Sequence, residues 1–176
     1  TDKDFRPAEF MHFCSKMMRK EPKQRGQAPA MIVFCEFEQQ FYLIELAKRY
    51  GLKNYINLVF RKNFSAQVLK ANMRIVGNCE YGLLFYRDKL PKFNNKGKMV
   101  MNCIDYGRKD SKTETIHPTQ KPVSLMKRLI ELFTDPGEVV IDPVAGSAST
   151  LVAAAELKRE AYGFEIKKDF FKAAKQ

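Results

Sequence analysis

The chain predicts an α/β layered domain, and three observations predict it. Apolar runs of strand length alternate with segments of helical period. Residues 138–166 read strand, small-residue loop, helix, strand and acid, the order of a parallel β-α-β unit. With 176 residues, 45% of them hydrophobic, the chain can bury a sizeable core.

The elements follow in order. Residues 7–20 place Phe10, Phe13 and Met17 at helical spacing, and Pro7 suits a first turn, where its missing N–H is not needed. KEPKQRGQAP at 20–29 is a polar loop. MIVFCEF, 31–37, is a strand. Residues 38–51 predict a helix with Phe41, Ile44 and Leu46 inward, ending at Gly51. YINLVF, 55–60, and EYGLLFYRD, 80–88, are strands, and the basic stretch 61–78 between them lacks clear periodicity. LPKFNNKGK, 90–98, is a basic loop, MVMNCID, 99–105, a short strand, and a polar loop runs on through 116. Residues 122–133 predict an amphipathic helix with Leu125, Leu129, Ile130 and Phe133 on one face. DPG at 135–137 is a turn. EVVID, 138–142, is a buried strand, 149–158 a helix, AYGFEI, 161–166, a strand, and 167–175 a closing helix.

Charge divides the chain. Of the net +11, residues 51–110 carry 12 Lys+Arg against 4 Asp+Glu, whereas 111–176 carry 10 against 9. A basic half beside a near-neutral half suggests a polyanion-facing region; a solvated basic surface is the alternative. No apolar run reaches membrane-span length and no leader peptide is visible. Cys14, Cys35, Cys79 and Cys103 lie in apolar contexts without C-x-x-C spacing, and only His12 and His117 could join them. They read as buried reduced thiols of a cytoplasmic protein, with no metal site.

The parallel crossover would set loop 143–148 and Glu165 beyond the same strand ends. Gly146, Ser147, Ala148 and Ser149 are small enough for a ligand to approach the backbone, and a helix N-terminus offers free N–H groups behind them. Glu165, 23 residues after Asp142, could accept both hydroxyls of a ribose. The loop is neither G-x-G-x-x-G nor a phosphate loop, and Asp142 disfavours a pyrophosphate. A nucleoside with a cationic or zwitterionic group fits, and S-adenosylmethionine is one. An ordinary β-α-β unit with a tightly packed loop is the alternative.

HPTQKP at 117–122, a helix, VIDPVAGSAST, a helix and AYGFEI together resemble the amino-group DNA methyltransferases of bacteria and phages. These are S-adenosylmethionine-dependent, of adenine-N6 or cytosine-N4 type. The match is to the order with the target-recognition region before the cofactor motifs. Members typically show H-P-x-Q-K-P, then D-P-F-x-G-S-G-T-T, then a strand ending Gly-x-Glu. The resemblance implies a Rossmann-like S-adenosylmethionine-dependent methyltransferase fold, three-layer α/β/α. In one integrated domain it implies a catalytic-side part at 1–60, a basic target-recognition insert with flanking strands at 61–116, and a cofactor-binding part at 117–176. It implies that Thr119, Gln120 and Lys121 close over the methionine end of the cofactor; Thr119 could instead cap the following helix. Asp142, Pro143, Gly146, Ser147, Ser149 and Thr150 match the loop under the cofactor, and Glu165 the ribose-binding acid. Double-stranded DNA would be read by 61–98, with Arg61, Lys62, Lys70, Arg74, Lys92, Lys96 and Lys98 as phosphate contacts. Phe64 and Phe93 could stack on an unpaired base or pack in the core.

Val144 replaces the family's Phe, and Ala148 its Gly, which would crowd the loop if that position needs a positive φ. The catalytic Asp/Asn/Ser-Pro-Pro-aromatic motif is absent, since no Pro-Pro pair occurs. By resemblance its strand would lie beside 138–142. No catalytic residue is therefore assigned within this chain. The expected protein is a site-specific DNA methyltransferase fragment of restriction-modification type, acting on adenine N6 before cytosine N4 and inactive alone. It would be completed by an N-terminal segment, a partner chain or a second copy. An inactive DNA-binding phage remnant and an RNA methyltransferase are the alternatives.

Overall fold

A computed structural model describes residues 5–63, 67–107, 120–165, 169 and 172. It divides into two compact units, Thr1–Phe93 with Lys98–Asp105, and Asn94–Gly97 with Tyr106–Gln176.

The first unit is built on a four-stranded sheet in the order β1-β5-β2-β6. Its strands are β1 (Met31–Cys35), β2 (Asn54–Lys62), β5 (Cys79–Tyr86) and β6 (Cys103–Tyr106). β5 runs antiparallel to both neighbours: Cys35 faces Tyr81 on one side, and Asn54 faces Tyr86 and Arg61 faces Cys79 on the other. β6 adds to the outer edge of β2, where Val59 N–H donates to the Asn102 carbonyl over 2.8 Å. β5 is the most buried strand because it is paired on both edges and covered on both faces. Leu83, Leu84 and Phe85 are all buried, a continuous apolar run rather than an alternating one.

Helices α1 (Pro7–Met17) and α2 (Gln39–Arg49) supply the core on one face: Met11, Leu43, Leu46, Ala47 and Leu52 pack with Leu83 and Phe85. Both helices form where the sequence places them, but their buried stripes are rotated from the expected ones. In α1, Met11 and Cys14 are buried, while the Phe10 ring lies tilted against Phe5 at 5.4 Å and Met17 is exposed. In α2, Leu43, Leu46 and Ala47 are buried and Phe41 is exposed. The expected set Phe41, Ile44 and Leu46 mixed two faces, since positions two apart do not share one. Pro7 begins α1, and Gly51, at φ +85°, follows α2. The cysteines correct another expectation: Cys14 is buried and Cys35 half-buried, but Cys79 and Cys103 open strands at the sheet's end and are exposed.

The stretch without clear periodicity, 61–78, holds a separate hairpin. β3 (Gln67–Lys70) pairs with β4 (Ile75–Gly77) around a 3-10 turn at Ala71–Met73. Its turn residue Arg74 takes φ 56°. Three- and four-residue strands with a register shift are too short to imprint a period.

In the second unit, β7 (Val139–Asp142) and β8 (Glu160–Gly163) pair in parallel, with Val139 facing Glu160 and Asp142 facing Gly163. α4 (Ser149–Glu156) is the crossover helix, and α3 (Val123–Phe133) packs against it. α3 buries Val123, Leu125, Met126, Leu129, Ile130 and Leu132; Phe133, expected on that face, is half-buried. Its C-terminus is closed by Asn94, whose amide donates to the Glu131 and Thr134 carbonyls and to Asp135. β8 ends at Gly163, earlier than the expected Ile166, which lies outside the described residues, as does most of 167–175. The fold is a mixed α/β arrangement, with helices against a four-stranded sheet in the first unit and a parallel β-α-β unit in the second. No helix among the described residues is long and apolar enough to cross a membrane.

Gly82 lies mid-β5, where a Cβ would sit 2.9 Å from the buried Phe60 ring and 3.2 Å from the Val33 carbonyl oxygen. Neither neighbour can yield, because the Phe60 ring is held against Phe34 at 4.8 Å and Val33 is strand backbone. Gly82→Ala should lower stability by about 1–3 kcal/mol in urea unfolding.

Candidate functional site

The candidate site is the end of the β7–α4–β8 crossover. β7 stops at Asp142, whose Oδ1 accepts the Val144 N–H at 3.1 Å and so turns the chain out of the sheet. Ala145 N–H donates to the Phe164 carbonyl at 2.9 Å, and Phe164 N–H to the Asp142 carbonyl at 3.0 Å. These bonds continue the parallel pairing past the formal strand ends. Gly146 N–H then donates to Glu165 Oε2 at 2.9 Å. The loop and the acid, 19 residues apart in sequence, are thereby joined directly.

Two glycines permit this geometry for different reasons. Gly146 takes φ +51° with no atom nearer than 3.9 Å to where a Cβ would be, so its need is conformational. Gly163 needs space: a Cβ there would meet Leu151 Cδ1 at 2.5 Å and Ala145 Cβ at 3.0 Å. It lets α4 and the loop lie close on β8. Ala148 occupies a left-handed conformation at φ 61°, so the position does require a positive φ and alanine holds it under strain. Its N–H donates to the Ala145 carbonyl at 2.7 Å, and its carbonyl accepts from Val152, which starts α4.

Asp142, Gly146, Ser147, Ser149 and Glu165 are thus gathered at one strand end. The Ser147 and Ser149 hydroxyls lie 3.0 Å apart, with Ser149 buried. Pro143 opens the loop, Thr150 is half-buried in the first turn of α4, and Val144 is exposed. Gln120 and Lys121 are half-buried on the way into α3, and Thr119 lies outside the described residues. The sequence reading missed Gly163 and the backbone of Ala145 and Phe164. The glycine in AYGFEI was the available signal; the two backbone contacts carry none, because any residue can make them.

The basic candidates separate by environment. Arg61 donates from Nε and one terminal nitrogen to both Asp105 oxygens, each over 2.7 Å. That fork holds the Asp105 carboxyl below its usual range, chiefly through the hydrogen bond. The pairing is therefore complete above the ordinary carboxylate pKa and is lost as pH falls through the depressed one. Lys62 pairs with Glu80 in a largely buried setting. Lys92, expected on the surface, is only 6% exposed, a burial that does not suit a phosphate contact. Lys70, Arg74, Lys96 and Lys98 are exposed, and Lys70 and Arg74 have no ion pair among the described residues. Phe64 lies outside the described residues and Phe93 is half-exposed. The Cys35 thiol is pushed up to about 11, first by burial and then by Glu36, so it stays protonated.

The DNA methylase family model matches residues 1–176. YubD of Escherichia coli (strain K12) is 30% identical over 176 residues, all of this chain and 69% of YubD. The DNA adenine methyltransferase YhdJ of the same organism is 37% identical over 92 residues, 51% of this chain and 31% of YhdJ. The crystal structure of an M1.HpyAVI–SAM complex superposes with a TM-score of 0.77 at 25% identity, covering 99% of this chain and 83% of that one.

The two glycines should respond differently to one added methyl. Gly146→Ala should cost about 1–2 kcal/mol through backbone strain alone. Gly163→Ala should cost about 1–3 kcal/mol through overlap with Leu151. The combination Gly163→Ala with Leu151→Ala should recover part of the second loss and none of the first, read by urea unfolding.

Proposed function

This chain belongs to the DNA methylase family, and we propose that it serves methyl transfer from S-adenosylmethionine to an exocyclic amine of a DNA base, adenine N6 before cytosine N4. The hydrogen bond from Gly146 to Glu165 carries the reading, because it brings a glycine loop and an acid to one strand end. The groups there suit this cofactor. Two carboxylates and three hydroxyls, from Asp142, Glu165, Ser147, Ser149 and Thr150, match a ribose and an ammonium and would repel a pyrophosphate. When bound, the cofactor supplies a methyl group on a cationic sulfur.

The chain's own residues bind and orient. Glu165 accepts the ribose hydroxyls while one of its oxygens holds the Gly146 amide, so loop position and ribose position are set together. Asp142 fixes the loop's first turn and adds negative charge facing the ammonium. Thr119, Gln120 and Lys121 close over the methionine end, and Pro143 gives the loop its exit from β7. The adenine preference has support from the aligned adenine methyltransferase YhdJ.

The grip on the target amine is assigned to a strand outside these 176 residues, since they contain no Pro-Pro-aromatic motif. Open sheet edges support that assignment. Among the described residues β7 pairs only with β8, and β1 only with β5. The residues of both strands are half-buried or exposed, so their free edges are open to pairing with a further strand. It could come from a longer chain, a partner or a second copy. The absent motif equally favours a second reading, a DNA-binding remnant without catalysis.

DNA contact is assigned to the β3–β4 hairpin and the basic loop after β5. Lys70 and Arg74 are the leading phosphate contacts, followed by Lys96 and Lys98. Arg61 is tied to Asp105 and Lys62 to Glu80, so each would have to release a carboxylate first.

Glu165→Ala should weaken S-adenosylmethionine binding by about 1.5–3 kcal/mol in calorimetry. Equal affinity would remove Glu165 from the site, and no binding by either form would favour the remnant. Labelled-methyl assays of the 176-residue chain should detect no transfer to DNA; turnover would overturn the missing-strand assignment. Lys70→Ala with Arg74→Ala should reduce the slope of log affinity against log salt on duplex DNA by about 1.8. An unchanged slope would take the hairpin off the DNA.

A further inference from the structure

The first unit carries a second cationic site at the opposite end of its sheet from the hairpin. β2 has the hairpin end at Lys62 and the other end at Asn54, eight residue steps, or about 26 Å, apart. At the Asn54 end, Tyr86 closes β5 and the loops 19–25 and 87–92 converge. Those loops hold seven Lys or Arg against Glu21 and Asp88. The charge pattern in sequence concealed this, because one loop lies outside the basic stretch 51–110.

The loops are locked together in a way that leaves their charge largely uncompensated. Arg87 donates to the carbonyls of Ser15, Met18 and Arg19 at 2.8–3.2 Å, closing the C-terminus of α1. Lys89 Nζ donates to the carbonyls of Pro22 and Lys23 at 2.7 and 3.2 Å. Both cations are thus held by neutral acceptors. Of the two acids, Glu21 accepts the Asp88 and Lys89 amides at 2.9 Å and keeps its charge within these loops, while Asp88 pairs with Lys53 at 3.0 Å, so seven cations still outnumber the two acids. Between the loops lies an open cavity of about 480 Å³. Lys23, Arg25 and Lys89 line it with Asn54, Tyr86 and Leu90; Asp88 also borders it. Lys23 and Arg25 are exposed, and their side chains have no partner among the described residues.

We propose that this cavity is a binding site for a nucleotide unit, its phosphate held by Lys23 and Arg25 and its sugar or base against Tyr86 and Leu90. Two exposed cations beside a fixed third suit a phosphate, because the Lys89 charge is already ordered before binding. The aromatic and aliphatic wall suits the ring system a nucleotide carries and an inorganic ion lacks. Phosphate chemistry here has two sources, a DNA strand running beyond the hairpin's contact or a free mononucleotide. The inference does not depend on the methyl-transfer reading, since the site shares no residue with the cofactor loop.

The test is a titration of the full chain and of Lys23→Ala with Arg25→Ala against AMP, adenosine and a short DNA duplex. Both side chains are exposed and have no partner among the described residues, so the double variant should keep its melting temperature. If the source is free nucleotide, wild type binds AMP and not adenosine. The variant then loses about ten-fold in AMP affinity, and the duplex salt slope stays the same. If the source is DNA, the duplex salt slope falls by about 1.8 in the variant, additively with the hairpin substitutions. Lys23→Arg with Arg25→Lys should retain whichever binding is found. The proposal is overturned if AMP affinity and duplex salt slope are both unchanged by the alanine pair, or if AMP does not bind and the slope is unchanged.

Discussion

The hydrogen bond between the Gly146 amide and the Glu165 carboxylate is the constraint on which the second unit's site depends. It exists because β7 and β8 run parallel. Only a crossover through α4 returns the chain so that both strands end at the same edge. The supporting bonds among Asp142, Val144, Ala145 and Phe164 are backbone or short-range, so they specify the loop's path with little help from large side chains. The price is local strain: Gly146 and Ala148 both take left-handed φ, and one of them carries a Cβ. The loop presents carboxylates and hydroxyls rather than a row of amides, which is what the proposed cofactor reading requires.

In the first unit the governing element is β5. It is paired on both edges and buried on both faces, so β1 and β2 take their register from it. That register fixes two cationic ends. One end of β2 and β5 leads into the hairpin, whose Val68, Leu69, Met73, Ile75 and Val76 remain exposed beside Lys70 and Arg74. The other end brings two basic loops around the cavity beside Tyr86. Exposed apolar side chains beside uncompensated cations suit a partner with both a charged backbone and flat ring surfaces, which is what a nucleic acid presents. Cations are also disarmed selectively. Arg61 and Lys62 sit on the sheet among acids and pair with them, whereas Lys70 and Arg74 sit on a hairpin that contains none.

The existence and order of the long elements were legible in the sequence, because helical and strand periods survive over ten or so residues. So was the gathering of Asp142, Gly146, Ser147, Ser149 and Glu165, because a β-α-β unit has one handed solution. Less legible were the helix faces. In α1 the stripe Phe10, Phe13, Met17 and the stripe Met11, Cys14, Met18 have the same spacing, and neighbouring elements chose the second. The β3–β4 hairpin was hidden because its strands are too short to show a period. The buried Lys92 and the exposed Cys79 and Cys103 were misread because residue type predicts burial only on average.

What the sequence by itself determined is the local grammar: strand, loop, helix and strand, the glycine in the loop, the acid beyond β8, and the family to which these motifs belong. What only the tertiary structure decided is which charges face solvent unpaired. Ion pairing and burial depend on contacts between residues far apart in sequence, such as Arg61 with Asp105 or Lys89 with the carbonyls of Pro22 and Lys23. A count of lysines and arginines sums charges without their partners. The fold converts that sum into two separate cationic surfaces, one at each end of β2.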